Sequence, residues 1–341
     1  MAQAFSSVPP PIALTRKDFV SDQEVRWCSG CGDYSVLAQV QRVLPSLGLP
    51  REKFVFVSGI GCSSRFPYYM NTYGIHGIHG RPLPLATGIK LMRPDLSVWV
   101  ITGDGDALAI GGNHLLHALR RNIGLKILLL NNRIYGLTKG QCSPTSEFGK
   151  RTKSTPHGSI EKPLDAVSVA LGAGATFVAR ALATDSALLQ TILQRAAAHP
   201  GTAFIELYQQ CVIFNEDAYE HFEDRTTEHD ARLNLCHGKP LRFGKNLERG
   251  IAFDSDGRPQ SVLVAEHGEE RLLVHDERSD TTPFLLSRLT APHFPTPFGI
   301  LRAVEQPSYE TLAAEQLQRI QGSTPGSVQS LLESGVTWAV P

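Results

Sequence analysis

Over roughly the first two thirds of the chain, short apolar runs rich in β-branched residues alternate with longer stretches of helical period. Phe54 to Ser58, Val98 to Ile101, Leu125 to Leu130, Ala175 to Ala179 and Ala203 to Leu207 read as strands buried on both faces. Tyr34 to Leu47, Pro84 to Met92, the run that ends at Arg121, Leu164 to Leu171 and Ser186 to Ala198 read as helices. This alternation predicts an α/β fold with a parallel, helix-flanked sheet. At the front, residues 1–20 carry Ser6-Ser7 and three consecutive prolines, which sustain neither a helix nor a central strand; they read as an arm. After about Ala218 the texture changes. Residues 219–250 are charged and lack an even period. Ser261 to Ala265 and Arg271 to His275, joined by Glu266 to Glu270, suggest a hairpin. A proline-rich piece, 292–297, and two short helical segments follow. The expected organisation is an arm over 1–20, a main domain over 21–218 and a C-terminal extension over 219–341.

Composition narrows the function classes. The 341 residues carry no net charge, and only 19% are charged, so no basic field points to nucleic acid or an anionic membrane. No apolar run approaches the roughly 20 residues of a membrane span. The first residues lack an apolar signal core, so a cytoplasmic protein is expected. In that compartment the six cysteines are not expected to form disulfides.

The chemistry is concentrated between Gly103 and Asn132. Gly103-Asp104-Gly105-Asp106 follows one strand, a helical run follows that turn, and the next strand ends in Asn131-Asn132. Two glycines at a strand end let the backbone approach a ligand. The acids between them would repel a phosphate, so a diphosphate held here needs a cation in between. Mg²⁺ suits that role, because it bridges phosphates to one or two carboxylates through hard oxygen ligands. In a parallel sheet Asn132 lies on the same carboxyl edge and offers an amide oxygen. Gly-Asp-Gly and Asn-Asn taken singly are ordinary turn text; joined at this spacing they are far more specific. No Walker-type loop occurs, nor a Gly-x-Gly-x-x-Gly after a strand.

Cysteines form a second candidate set. Trp27-Cys28-Ser29-Gly30-Cys31 resembles a redox dithiol, but the polar residues 21–26 make a poor buried strand before it. A zinc knuckle would need another close pair, whereas Cys62, Cys142, Cys211 and Cys236 are singletons. Cys62 and Cys211 each follow a predicted strand. Such a cysteine is either a small core residue or a thiolate at the same sheet edge. His76 and His79, like His114 and His117, have a spacing that zinc sites use but lack a nearby third ligand. Thr138 to Thr155 reads as a long loop of the functional kind.

The joined motif resembles the thiamine diphosphate fingerprint, with residues 106–130 filling the gap between its halves. In detail it resembles the β subunits of the 2-oxoacid:ferredoxin oxidoreductases. The text that carries this is Gly103 to Ala107, Ile110 to His114, Arg120-Arg121-Asn122, Asn131 to Thr138, Gly140-Gln141 and Ser143-Pro144-Thr145. The resemblance implies a diphosphate-domain fold with a C-terminal extension that packs on the body and on the partner subunit. It also implies thiamine diphosphate contacts from Ile60, Gly61, Cys62, His79, Gly103, Asp104, Gly105, Asp106, Asn132, Tyr135, Gly136, Leu137 and Thr138. Mg²⁺ would be held by Asp104, Asn132 and Ile134, and a 4Fe–4S cluster by Cys28, Cys31, Cys62 and Cys211. His79 would contact the cofactor or move a proton, and Arg65 would clamp a substrate carboxylate. Cys142 and Cys236 receive no role. Four cluster thiolates offer electrons an exit, which favours an oxidoreductase over a non-redox thiamine diphosphate decarboxylase or synthase, or a subunit that only carries electrons. The implied partners are an α subunit, in a heterodimer or a dimer of heterodimers, with coenzyme A, ferredoxin and a 2-oxoacid. That acid is expected to be 2-oxoglutarate, with pyruvate the alternative.

Overall fold

The computed structural model describes residues 14–321, 326–338 and 340. Most of the expected arm lies outside them, but its last part is fixed to the body: Phe19 is fully buried and Val20 bridges Met70. The body comprises α1 (Asp33–Val43), β1 (Phe54–Ser58), β2 (Tyr73–His76), α2 (Pro82–Met92), β3 (Ser97–Gly103), α3 (Gly112–Arg120), β4 (Leu125–Asn131), α4 (Ala166–Gly172), β5 (Phe177–Leu182), α5 (Ser186–Ala198) and β6 (Ala203–Tyr208). Beyond it come α6 (Glu228–Ala231), β7 (Arg232–Asn234), β8 (Arg242–Phe243), β9 (Arg249–Phe253), β10 (Pro259–Leu263), α7 (Val264–His267), α8 (Thr282–Ser287), β11 (Thr296–Ala303), α9 (Tyr309–Gln321) and α10 (Val328–Glu333).

One sheet runs in the order β2-β1-β3-β4-β6-β5-β11-β7, and β1 to β6 pair in parallel. Alternate residues of each strand face opposite layers. On β4, Leu125, Ile127 and Leu129 pack with Leu83 and Ala86 of α2, Leu115 and Leu119 of α3, and Val167 and Ala170 of α4. Leu128 and Leu130 join the other layer, with Val36 and Val40 of α1 and Leu189, Ile192 and Leu193 of α5. Each of these Leu, Ile and Val side chains contributes roughly 1.5–3 kcal/mol on burial. Both faces of the sheet are therefore covered, as its apolar strands require.

Two stretches depart from the sequence reading. Residues after 218 do not merely extend the body: β11 adds antiparallel to β5, and β7 adds parallel to β11. The prolines at 295 and 297 mask that strand in the sequence, yet proline is tolerated at a strand's start, and Phe298 to Leu301 behind it are buried. The expected hairpin is also shifted. β9 and β10 pair antiparallel across residues 254–258, while 264–267 are helical and the expected second strand forms no ladder among the described residues, bridging Pro240 at Val274 and bonding Ile251 through the Leu273 N–H. Asp254 accounts for the shift, because its carboxylate accepts from the backbone N–H of Asp256 at 2.9 Å and of Arg258 at 2.8 Å, a local turn-maker.

Candidate functional site

Parallel pairing brings the carboxyl ends of β1, β3, β4 and β6 to one edge, with Ser58 opposite Ile101, Gly103 opposite Leu130 and Asn131 opposite Tyr208. The loops leaving those ends enclose a cleft of about 410 Å³. Every residue named above for the diphosphate cofactor lines it, and so does Ile134. Arg65 does not; it stands at the neighbouring cysteine cavity and donates to the Arg26 carbonyl at 2.9 Å.

Asp104 is buried at the floor of the cleft. One of its carboxylate oxygens, Oδ2, accepts from Ser143 Oγ at 2.5 Å and from Thr145 Oγ1 at 2.6 Å. Burial lifts its pKa to about 6 even though both hydroxyls pull the other way. A cation bound there would draw it back to the ionised form. Asn132, also buried, accepts the Ile134 N–H on Oδ1 at 3.1 Å, which turns the chain after β4 and brings Ile134 to the cleft. Gly105 must lack a side chain: a Cβ would lie 2.1 Å from the Tyr135 ring, whose hydroxyl donates to the Gly105 carbonyl at 3.1 Å.

Asp106 has a different role. Its carboxylate accepts from Thr102 Oγ1 at 2.8 Å, Gly80 N at 2.7 Å and Ile60 N at 3.1 Å, and it meets His79 Nδ1 at 2.7 Å. A carboxylate only accepts, so Nδ1 of His79 carries the proton and Nε2 is the ring nitrogen left to exchange one. Asp106 thus ties three loops together and orients His79 within the cleft.

Cys28, Cys31, Cys62 and Cys211 line one adjoining cavity of about 360 Å³. A Cβ on Gly136 would sit 3.4 Å from Cys211 Sγ and 3.6 Å from Cys62 Sγ, so this glycine keeps the space between two thiols open. Trp27 Nε1 donates to the Cys62 carbonyl at 2.8 Å, and the Cys31 N–H to the Cys28 carbonyl at 3.1 Å. Burial pushes the Cys62 thiol up to about 11, with the nearby Asp33 carboxyl adding to the rise; the same two causes push Cys31 up further. Among the described residues no three His, Cys, Asp or Glu groups converge tightly enough for one ion. The four thiols ring a volume, the arrangement that suits a polynuclear cluster.

Sequence reasoning assigned no role to Ser143, Thr145, Gln209 or Asp33. Ser143 and Thr145 lie in text quoted for the resemblance, but a hydroxyl contact across 39 or 41 residues leaves no spacing signal. Gln209 lines both cavities. Asp33, the first residue of α1, is fully buried with neither carboxylate oxygen bonded, and its pKa rises to about 7 from burial.

A family described as thiamine pyrophosphate enzyme, C-terminal TPP binding domain, matches residues 59–207. The 2-oxoglutarate oxidoreductase subunit KorB of Mycobacterium tuberculosis is 51% identical over 330 residues, 95% of this chain and 88% of the relative. The chain belongs to the β subunits of the 2-oxoacid:ferredoxin oxidoreductases. The 2-oxoacid:ferredoxin oxidoreductase subunit beta of Saccharolobus solfataricus is 43% identical over 257 residues, 74% of this chain and 84% of the relative. Among solved structures, a 2-oxoglutarate:ferredoxin oxidoreductase from Magnetococcus marinus with 2-oxoglutarate, coenzyme A and succinyl-CoA bound superposes with a TM-score of 0.78 at 30% identity, covering 99% of this chain and 100% of that chain. Membership in this oxidoreductase family decides against the non-redox decarboxylase or synthase, and residues 59–207 match a thiamine diphosphate-binding domain. No helix among the described residues is long and apolar enough to cross a membrane.

Proposed function

We propose that this β subunit, joined to an α subunit in the cytoplasm, takes part in the oxidative decarboxylation of 2-oxoglutarate with coenzyme A and passes the electrons to ferredoxin. The observation that carries this reading is that the cleft and the cysteine cavity are neighbours: Cys62, Asn132, Gly136, Leu137 and Gln209 line both. A group in the cleft and a cluster among the thiols would then be separated by little more than one layer of side chains.

Thiamine diphosphate, when bound, supplies the electron sink that lets a 2-oxoacid lose CO₂, and an iron–sulfur cluster supplies one-electron steps. In this reading Asp104, the Asn132 amide oxygen and the Ile134 carbonyl hold Mg²⁺, which neutralises the diphosphate against Asp104 and Asp106. Gly103 and Gly105, which line the cleft without side chains, would let phosphates approach the backbone. His79, oriented by Asp106, holds or delivers a proton from Nε2 in the cleft. Cys28, Cys31, Cys62 and Cys211 would hold the cluster, whose iron would displace the thiol protons, including those that burial retains on Cys31 and Cys62. Arg65, at the rim of the cysteine cavity, keeps guanidinium donors beyond its one bond to Arg26 and offers them to a substrate carboxylate. The names of the mycobacterial relative and of the solved structure support 2-oxoglutarate as the acid.

The test is to purify the chain both alone and co-expressed with its α subunit, anaerobically, and to measure viologen reduction with 2-oxoglutarate or pyruvate in the presence of coenzyme A. The expected result is activity only in the complex, dependent on coenzyme A and faster with 2-oxoglutarate. Full activity of the isolated chain, or a complex free of iron and sulfide, would overturn the reading.

A further inference from the structure

We infer that Arg180, Glu206 and Asn131 form a buried positioning chain that sets the Asp104 carboxylate for its metal ion; the inference rests on the reading of Asp104 as an Mg²⁺ ligand. Arg180 on β5 and Glu206 on β6 sit opposite each other in register, and both are fully buried. Arg180 Nε donates to Glu206 Oε2 at 2.7 Å, and Nη2 donates to Asp165 Oδ2 at 2.9 Å. The Tyr208 ring lies 5.1 Å from the guanidinium carbon. Nη1 has no hydrogen-bond partner among the described residues, so the aromatic face helps to accommodate a charge that only two oxygen acceptors meet.

The chain continues toward the cleft. Glu206 Oε1 accepts from Asn131 Nδ2 at 2.8 Å. A carboxylate has no proton to give, so this contact fixes which end of the amide faces which way. Asn131 Oδ1 is thereby turned to the other side, where it accepts from the Arg133 backbone N–H at 3.1 Å and from Thr145 Oγ1 at 2.9 Å. Thr145 Oγ1 also lies 2.6 Å from Asp104 Oδ2. Its single hydroxyl proton serves one acceptor at a time, so Thr145 is tethered between the Asn131 amide oxygen and the Asp104 carboxylate, and the less mobile of the two sets its place. Asn131 is the immobile one, because the ion pair behind it cannot shift without leaving a buried charge unmatched.

Thr145 and Ser143 both engage Oδ2 of Asp104, and no side-chain donor engages Oδ1. Among the described residues the side-chain donors therefore hold the carboxylate through one oxygen, and the backbone N–H groups of Gly105 and Asp104 add to its hold. Partners of this kind, one layer behind a metal ligand, typically govern affinity by about 10–100-fold. A buried Arg–Glu pair between two central strands is a poor source of stability by itself. Its contact with Asn131, the last residue of β4, gives it a use.

The experiment measures Mg²⁺ affinity by calorimetry in the co-expressed complex, stripped of metal and supplied with thiamine diphosphate. The variants are Asp104→Asn, Glu206→Gln, Thr145→Val, Thr145→Ser and the double Glu206→Gln/Thr145→Val, each with its thermal midpoint measured. Asp104→Asn is expected to abolish the Mg²⁺ signal. Glu206→Gln and Thr145→Val each weaken Mg²⁺ about tenfold, and the double variant weakens it about tenfold as well, because both cuts break the same chain. Thr145→Ser restores the affinity. A merely structural Glu206 would lower the thermal midpoint yet leave Mg²⁺ affinity unchanged, or would add its loss to that of Thr145→Val; either result overturns the inference. An unaltered signal in Asp104→Asn overturns instead the metal reading beneath it. If Glu206→Gln does not fold, Thr145→Val against Thr145→Ser decides: equal Mg²⁺ affinity in those two overturns the chain at its last link.

Discussion

Asp104 and Asp106 stand two residues apart and have different tasks. Asp104 is held through one oxygen by two hydroxyls, whereas Asp106 is surrounded by donors from Thr102, His79, Gly80 and Ile60. Both were named from sequence as cofactor residues, since a glycine turn with two acids does not reveal which acid is already satisfied. At this scale two outcomes can be measured. Gly105→Ala puts a methyl where the Tyr135 ring now lies, so it should weaken thiamine diphosphate about tenfold or more in calorimetry, with the fold retained. Cys62→Ser should cost the anaerobically purified complex its iron, sulfide and brown absorbance, while the diphosphate still binds; retained colour and iron would refute the cluster assignment.

At the scale of elements, strand ends provide the site and the opposite edge stabilises the sheet. Lys126, buried at the amino end of β4, donates to the carbonyls of His199 and Gly201, and His199 Nε2 meets Thr176 Oγ1 at 2.8 Å. Burial, with the Lys126 charge adding to it, lowers the His199 pKa to about 4. The unfolded chain takes up this proton near 6.5, before the folded one does. The stability His199 contributes is therefore complete above pH 6.5 and is lost as pH falls toward about 4. Across that window the thermal midpoint of the wild type should fall by roughly 2–4 °C more than that of His199→Gln. Identical slopes in a calorimetric pH series would contradict this. β2 shows what hydropathy misses at this scale: its four residues are exposed, and it pairs only with β1, so it carries no buried-strand signature.

For the whole molecule, the question is what the last third adds. β11 and β7 finish the main sheet, and the N–H of Gly124 donates to the Glu310 carboxylate at 3.1 Å, tying α9 to the body. Neither α9 nor α10 has a buried residue, but α10 differs in that, among the described residues, its side-chain hydrogen bonds all stay within 327–333. Truncation after Gln321 should leave the thermal midpoint of the chain within about 1 °C of wild type, read by scanning calorimetry. A larger drop would show that the final segment packs on the body.

The apolar runs by themselves determined that strands and helices alternate, because burial on both faces leaves β1, β3, β4, β5 and β6 no polar alternation to obscure them. The turn chemistry of Gly103 to Asp106 and the doublet Asn131-Asn132 were enough to direct attention to two strand ends as the place for a phosphate-bearing group and its cation. Those are local properties, written in neighbouring residues. Only the tertiary structure decided that Thr145 reaches Asp104 across 41 residues, that Asp106 serves the loops as well as His79, and that 296–303 returns to the sheet. Each of these depends on a long-range pairing whose energy comes from closing a cavity or satisfying a buried carboxylate, and no periodicity along the chain encodes which distant partner will do so.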